Sequence, residues 1–143
     1  MNNIQNRVKK LKDEFDLLED WLDQYTYLVS IATTFPEKEF EETENNKIQG
    51  CQSIAYLDCH HDQKNRVFFY CKSDSLVIQG LLGLVTNCFN GLTPEEILDF
   101  SGDFLEIIGI KKHFTSTRSV GIESAINKMK DYCKVLLKNY KRN

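Results

Sequence analysis

The chain has 143 residues, of which 41% are hydrophobic and 27% charged. This length predicts a single domain over residues 1–143. A domain of this size can form a core without a disulfide or a structural metal. A net charge of −3 argues against a nucleic-acid-binding protein, because such a protein needs a concentrated basic face to neutralise phosphates. The polar N-terminus lacks an apolar leader, and the most apolar stretch, residues 76–85, is too short to span a bilayer, so we expect a cytoplasmic protein that engages no membrane.

Two helices are predicted in the N-terminal third. Apolar residues recur at helical spacing at Val8, Leu11, Phe15, Leu18 and Leu22. Asp16 and Glu19 resemble a capping box, so a second helix is expected to begin at Asp16 and to end at Phe35-Pro36. Its apolar stripe comprises Trp21, Tyr25, Leu28 and Ala32. The acidic residues 37–44 then predict a solvated connection.

A β-hairpin is predicted in the middle of the chain. Residues 52–59 and 66–72 are rich in β-branched and aromatic side chains, and the polar residues 60–65 between them predict a turn. Both faces carry apolar side chains, so we expect the sheet to be covered on much of both faces. Residues 44–49 match a third, short strand less well.

A buried helix is predicted over residues 76–89, which are apolar almost all round. Ser73 and Asp74 are its N-cap candidates, and Asn90-Gly91 is a suitable C-terminal stop.

Two short helices and one long helix complete the prediction. Thr93-Pro94-Glu95-Glu96 combines an N-cap, a proline at the first helical position and an acid at the third, so a short helix to Asp99 is expected. A second short helix is predicted over residues 103–108, and the last helix near Ser116. The apolar stripe of that last helix comprises Ile122, Ile126, Met129, Cys133, Leu136 and Tyr140. This order of elements indicates an α+β fold, with a small antiparallel sheet packed against helices.

The five cysteines differ in their sequence surroundings. An odd number without a signal peptide argues against a disulfide framework, so reduced thiols are expected. Cys88 and Cys133 lie on apolar helical faces and Cys71 in a strand, which favours core packing for all three. Cys59 lies at a strand end, with nothing nearby to activate it.

The run Cys59-His60-His61-Asp62 suggests a metal site only weakly. Adjacent residues of a strand point to opposite faces, and no Cys-x-x-Cys or His-x₃-His pair completes a ligand shell. A solvated polar turn is the better interpretation.

Cys51 stands between Gly50 and the first predicted strand. Glycine allows the backbone to turn sharply, and a thiol at a loop tip can enter another protein, but a tight turn that holds a small apolar residue explains the pattern equally well. A cysteine hydrolase is disfavoured, because His60 and His61 lie at the far end of the strand. Only His113 is left open as a base for such an enzyme.

Arg118 lies in the first turn of the last predicted helix. A cation there opposes the helix dipole, which is consistent with a functional role. On the residues alone, an exposed arginine that pairs with a nearby acid is preferred.

Four segments together resemble the SufE family of cysteine desulfuration proteins, which includes CsdE-like members. They match the family's motifs in order and spacing: Ile48-Gln49-Gly50-Cys51-Gln52-Ser53, residues 73–82, Asn90-Gly91-Leu92-Thr93-Pro94-Glu95-Glu96-Ile97-Leu98, and residues 109–121. The sequence departs from the family pattern at Tyr56, where tryptophan is usual, at Thr117, where proline is common, and at Val120, where asparagine is usual. These departures leave Cys51 in place but change the surroundings of Arg118.

The resemblance implies a fold shared with IscU-type scaffolds and a role as sulfur carrier. Cys51 would take a persulfide sulfur from a SufS/CsdA-like cysteine desulfurase, stimulate that enzyme, and pass the sulfur to a SufBCD-type complex for iron–sulfur cluster assembly. Such a carrier is not a stand-alone enzyme and needs no cofactor, since the pyridoxal phosphate belongs to the desulfurase. Residues that would support the site or bind the partner are Gly50, Gln52, Ser53, Asp74 and Arg118.

Two alternatives remain open. An IscU-type cluster scaffold needs about three or four converging thiolate or imidazole ligands, whereas only Cys51 is well placed for that role. A pure desulfurase-binding module would accept no sulfur, and loss of Cys51 would leave it functional.

Overall fold

The computed structural model describes residues 3–34, 42–50, 53–114 and 116–141, with side chains throughout these ranges except at residues 116–118, 140 and 141. The helices are α1 (Asn3–Asp16), α2 (Trp21–Thr34), α3 (Leu76–Phe89), α4 (Pro94–Leu98), α5 (Phe104–Ile108) and α6 (Ser116–Lys141), with a 3-10 turn at Lys111–His113. The strands β1 (Ala55–His61) and β2 (Val67–Ser73) pair antiparallel. The fold is therefore α+β, as the sequence predicted. None of the helices in the described part of the chain combines the length and hydropathy needed to cross a bilayer.

One face of the sheet packs against the helical core. The odd-numbered residues Ala55, Leu57, Val67 and Phe69 are fully buried there. The even-numbered residues of the same strands are half-buried or exposed, so the second face is covered only in part, less than the sequence predicted. A hairpin that packs against helices on one side leaves its second face partly open to the solvent.

The hairpin turn is shorter than predicted, because β1 continues through His61. Asp62 organises the turn: its carboxylate accepts hydrogen bonds from the backbone amides of Lys64 and Arg66, each at 2.9 Å. Asn65 takes the left-handed conformation, with φ of 61°, which asparagine tolerates better than most residues.

Side-chain amides close the outer edge of β2. Asn90 accepts a hydrogen bond from the amide of Phe69 at 2.7 Å and donates one to its carbonyl at 3.2 Å. Gln79, a buried polar residue of α3, accepts from the amide of Ser73 and donates to the carbonyl of Cys71. Together with the backbone bridge between Val67 and Leu92, the two amides satisfy backbone groups of β2 that no neighbouring strand pairs.

The outer edge of β1 carries only a fragment of a third strand. The amide of Ile48 donates to the carbonyl of Ala55 at 2.8 Å, and the amide of Leu57 donates to the carbonyl of Asn46 at 2.7 Å. Turns at Thr43 and Glu44 end this pairing, so the third strand is reduced to a single bridge.

Helix α3 is the centre of the core and has the bounds that the sequence predicted, but its N-cap is Ser75. The hydroxyl of Ser75 accepts a hydrogen bond from the amide of Ile78. The predicted caps have other partners: Ser73 accepts from the amide of Ser75, and Asp74 accepts from the amide of Ile54.

The close packing of α2 against α3 depends on Gly80. A Cβ atom at this position would lie 2.3 Å from the carbonyl oxygen of Leu28 and 2.9 Å from its carbonyl carbon. Because both atoms belong to the backbone, no side-chain rotation can make room for even a methyl group.

The predicted start of the second helix at Asp16 was wrong. Asp16 ends α1, where its carboxylate pairs with Lys12 at 2.7 Å, and α2 begins at Trp21 after Asp20 caps the amide of Asp23. The shift places Leu22 on the outside, 70% exposed, although the sequence stripe predicted it in the core. The predicted capping box of α4 and the start of α6 at Ser116 were correct.

Candidate functional site

A short loop joins the fragment of third strand to β1. The hydrogen bond from the amide of Ile48 to the carbonyl of Ala55 holds the two ends of the segment 49–54 together at the sheet, and residues 49, 50, 53 and 54 are its described part. The described residues between 47 and 57 contain no helix, which agrees with the predicted turn and strand. This loop contains the sequence position of Cys51.

Gly50 places the loop against α6. Its φ of +80° lies in the left-handed region that glycine adopts without cost. A Cβ atom on Gly50 would lie 3.1 Å from Cγ1 of Val120 and 3.6 Å from Oγ of Ser124. The backbone immediately before Cys51 therefore lies against the first turns of this helix.

Asp74 fixes the far end of the loop. Its carboxylate accepts a hydrogen bond from the amide of Ile54 at 3.1 Å, and its own amide donates to the carbonyl of Ile54 at 3.2 Å. Two bonds between one pair of residues set where β1 begins. Asp74 thus has a structural role next to the loop, and its role in supporting the site stays a prediction.

The remaining predicted site residues are placed only in part. Cys51 and Gln52 lie outside the described residues, and Ser53 is half-buried at the end of the loop. Arg118 is in the first turn of α6, two residues before Val120, but its side chain is also outside the described part. That Arg118 lies close to Cys51 stays a prediction.

Three exposed apolar side chains lie at the loop end, on α6 or shortly after Asp74 in the sequence. They are Ile54 at the loop end, Leu76 at the start of α3 and Val120 on α6, with exposed fractions of 53%, 52% and 46%. Asp74 bonds to Ile54 and precedes Leu76 by two residues, and Val120 faces Gly50. Apolar groups of this kind suit contact with another protein.

The four cysteines that the structure describes are poor nucleophiles. Burial raises the pKa of the Cys59, Cys88 and Cys133 thiols to about 12 each, and it also raises the pKa of the fully buried Cys71. At neutral pH these thiols are protonated, whereas the reactive species is the thiolate. Core packing, predicted for Cys71, Cys88 and Cys133, is confirmed by their burial.

The histidines have neighbours of their own. His60 Nε2 lies 2.6 Å from Asp58 Oδ2, and His61 Nδ1 lies 2.9 Å from the hydroxyl of Tyr132. His113 stacks on Trp21 with ring centroids 4.5 Å apart, and burial followed by the charge of Lys112 lowers its pKa. Within the described ranges, no group of three His, Cys, Asp or Glu side chains is arranged to hold a metal ion.

Sequence reasoning predicted Arg118 of α6 as a site residue but missed Val120 and Ser124 of the same helix. Ser124 gave no signal, because a serine in a long helix is ordinary. Val120 was noted only as a departure from the family motif, and its contact with Gly50 is a tertiary feature. Gln79 could have been found, since a polar residue on a helix that is apolar all round needs buried partners.

Comparisons with known proteins agree with the resemblance in the sequence. The family model described as "SufE: Fe-S metabolism associated domain" matches residues 9–133. The chain is 32% identical over 128 residues to an uncharacterized SufE-like protein of Rhizobium meliloti, covering 86% of this chain and 91% of that protein. It is 30% identical over 133 residues to an uncharacterized SufE-like protein of Rhizobium etli, covering 90% of each.

A solved structure shares the fold. The solution structure of a hypothetical protein from Thermus thermophilus superposes with a TM-score of 0.77 at 20% sequence identity. The match covers 92% of this chain and 96% of that one.

Proposed function

The chain belongs to the SufE family, whose domain is associated with Fe–S metabolism, and on that premise we propose that it is a sulfur carrier with Cys51 as the acceptor. The loop of residues 49–54, called the acceptor loop below, presents Cys51 to a cysteine desulfurase of the SufS/CsdA type. The observation that carries the proposal is Gly50, which sets the backbone before Cys51 at a positive φ in a loop closed by the sheet.

The chemistry is exchange at a persulfide. The Cys51 thiolate attacks the outer sulfur of the desulfurase persulfide, a new S–S bond forms on Cys51, and the old S–S bond breaks with the desulfurase thiolate as leaving group. The chain needs no cofactor for this step, because the pyridoxal phosphate of the partner generates the sulfur. Removal of the sulfur frees the desulfurase for its next turnover and so raises its rate.

The proposal extends to the next step and to the location of the protein. A SufBCD-type assembly complex in the cytoplasm takes the sulfur from Cys51 by the same exchange. The exposed side chains of Ile54, at the end of the acceptor loop, and of Leu76, two residues after Asp74, provide apolar contact area for either partner.

Intact mass spectrometry tests the proposal directly. After incubation with a SufS-type desulfurase and L-cysteine, the chain should gain the mass of one or a few sulfur atoms, and a reductant should remove them. A protein that stimulates the desulfurase without gaining sulfur would be a binding module. A brown protein that carries iron and gains no sulfur would be a cluster scaffold.

Gly50→Ala should slow sulfur acceptance several-fold. An L-residue at this φ costs about 1–2 kcal/mol, and the added Cβ would lie 3.1 Å from Cγ1 of Val120, so Val120 or the acceptor loop must give by a few tenths of an ångström. The measurement is the rate of sulfur transfer from a preformed desulfurase persulfide.

Gly109→Ala is the matched control for Gly50→Ala. Gly109 also has a positive φ, +87°, but a Cβ there would meet nothing within 4 Å, and the residue ends α5 away from the acceptor loop in sequence. It should lose similar stability and keep the wild-type transfer rate. Equal transfer rates in both variants would remove Gly50 from the mechanism.

Arg118→Ala should slow sulfur acceptance while the free energy of unfolding changes by less than about 0.5 kcal/mol. The guanidinium group would steady the anionic sulfur or a carboxylate of the partner. Lys112→Ala, which removes another exposed cation near the start of α6, serves as the control. A wild-type transfer rate for Arg118→Ala would show that the arginine has no part in the reaction.

A further inference from the structure

A stripe of α6 lies along the segment that enters the acceptor loop. Val120, Ser124 and Lys128 are four residues apart and therefore share one face of the helix. The ammonium group of Lys128 contacts the carbonyl oxygen of Asn45, and Val120 and Ser124 face Gly50. The segment that leads to Cys51 thus runs beside successive turns of one helix.

The fit is tightest at Val120. A Cβ atom on Gly50 would lie 3.1 Å from its Cγ1, which is closer than most such contacts, so Val120 packs directly beside the backbone of Gly50. Val120 is 46% exposed, so it is not a residue of the buried core. The SufE motif has asparagine at this position, so the valine gives this chain an apolar surface against the loop.

We propose that Val120, with Ser124 beside it, is a positioning residue that holds Gly50 and so aligns the neighbouring Cys51 thiol with the persulfide of the partner. The inference rests on the proposed function. Attack on a persulfide needs the two sulfur atoms to approach in line, and a loosely held loop loses that alignment even though its thiol becomes easier to reach. Loss of the contact between Val120 and Gly50 should therefore slow sulfur transfer, which needs alignment, and speed alkylation of Cys51, which needs only access.

Val120→Ala tests the inference with two rates. Alkylation of Cys51 by iodoacetamide, followed by peptide mass spectrometry, should become roughly three-fold faster or more, because it needs only access. Single-turnover sulfur transfer from the desulfurase persulfide should become roughly three- to ten-fold slower, because it needs alignment. Val120→Thr keeps the branched shape and should leave both rates near those of the wild type.

The controls separate this role from a loss of stability. Val135→Ala truncates another exposed valine of α6 and should change neither rate. The described cysteines should stay unalkylated in every variant. Their alkylation would report a global loosening of the fold, which would expose them together with Cys51. Unchanged rates in Val120→Ala, or faster alkylation of the buried cysteines together with Cys51, would overturn the inference. If the wild type accepts no sulfur, the proposed function fails, yet the alkylation rates still decide whether Val120 holds the loop.

Discussion

Replacing Cys51 with serine should abolish both the sulfur adduct and the stimulation of the desulfurase. A serine hydroxyl cannot act as the thiolate that accepts sulfur, and burial holds the thiols of Cys59, Cys88 and Cys133 protonated at neutral pH, with pKa values of about 12. The adduct is measured by intact mass, and the stimulation by the rate at which the desulfurase releases sulfide.

The fold should survive the Cys51→Ser change, because the hydrogen bonds that hold the ends of the loop are made by Ile48, Ile54 and their partners. The melting temperature should therefore stay close to that of the wild type, which excludes unfolding as the cause of lost activity. Sulfur that still appears on the Cys51→Ser protein, together with normal stimulation, would end the carrier assignment.

Gly80→Ala should cause the largest loss of stability among the variants considered. The added methyl group would lie 2.3 Å from the carbonyl oxygen of Leu28, so α2 and α3 must move apart. Overpacking of this kind costs about 1–3 kcal/mol, which lowers the melting temperature of a chain of this length by roughly 3–12 °C. Thermal denaturation followed by circular dichroism measures the change.

Asn87→Ala provides the reference on the same helix. Asn87 is an exposed residue of α3, and alanine favours helix, so this variant should be as stable as the wild type or slightly more so. Leu28→Ala should not rescue Gly80→Ala, because the clash is with the Leu28 backbone. A melting temperature for Gly80→Ala within about 1 °C of the wild type would mean that the two helices separate without cost.

Capping patterns in the sequence predicted the ends of those helices whose caps lie close by in the chain. Thr93 and Glu96 bond reciprocally, as a capping box requires, and α4 begins where they indicate. The prediction at Asp16 failed because the same residue types also form ion pairs within a helix, and Lys12 takes the carboxylate. The N-cap of α3 was misplaced for a related reason: the carboxylate of Asp74 bonds to Ile54, a partner from another part of the chain.

The candidate site divides in the same way. The glycine before Cys51 predicted a sharp turn, and the φ of Gly50 confirms it. The side chains that pack beside Gly50 could not be predicted. Val120 and Ser124 lie on a helix far along the chain, and they are not part of its apolar stripe. Only the packing of α6 beside the sheet brings these residues together.

The hydrogen bonds at Ile48 and Ile54 limit how far the sulfur can travel. Cys51 is three residues from each of them, and three extended residues span at most about 10 Å. On the proposed function, the sulfur on Cys51 therefore stays within about 10 Å of the loop ends. The donor must bring its persulfide to this part of the protein surface, and the recipient must later bind at the same part. Donor and recipient would then bind overlapping surfaces and exclude each other. An excess of the recipient complex should therefore inhibit the transfer of sulfur from the desulfurase to Cys51.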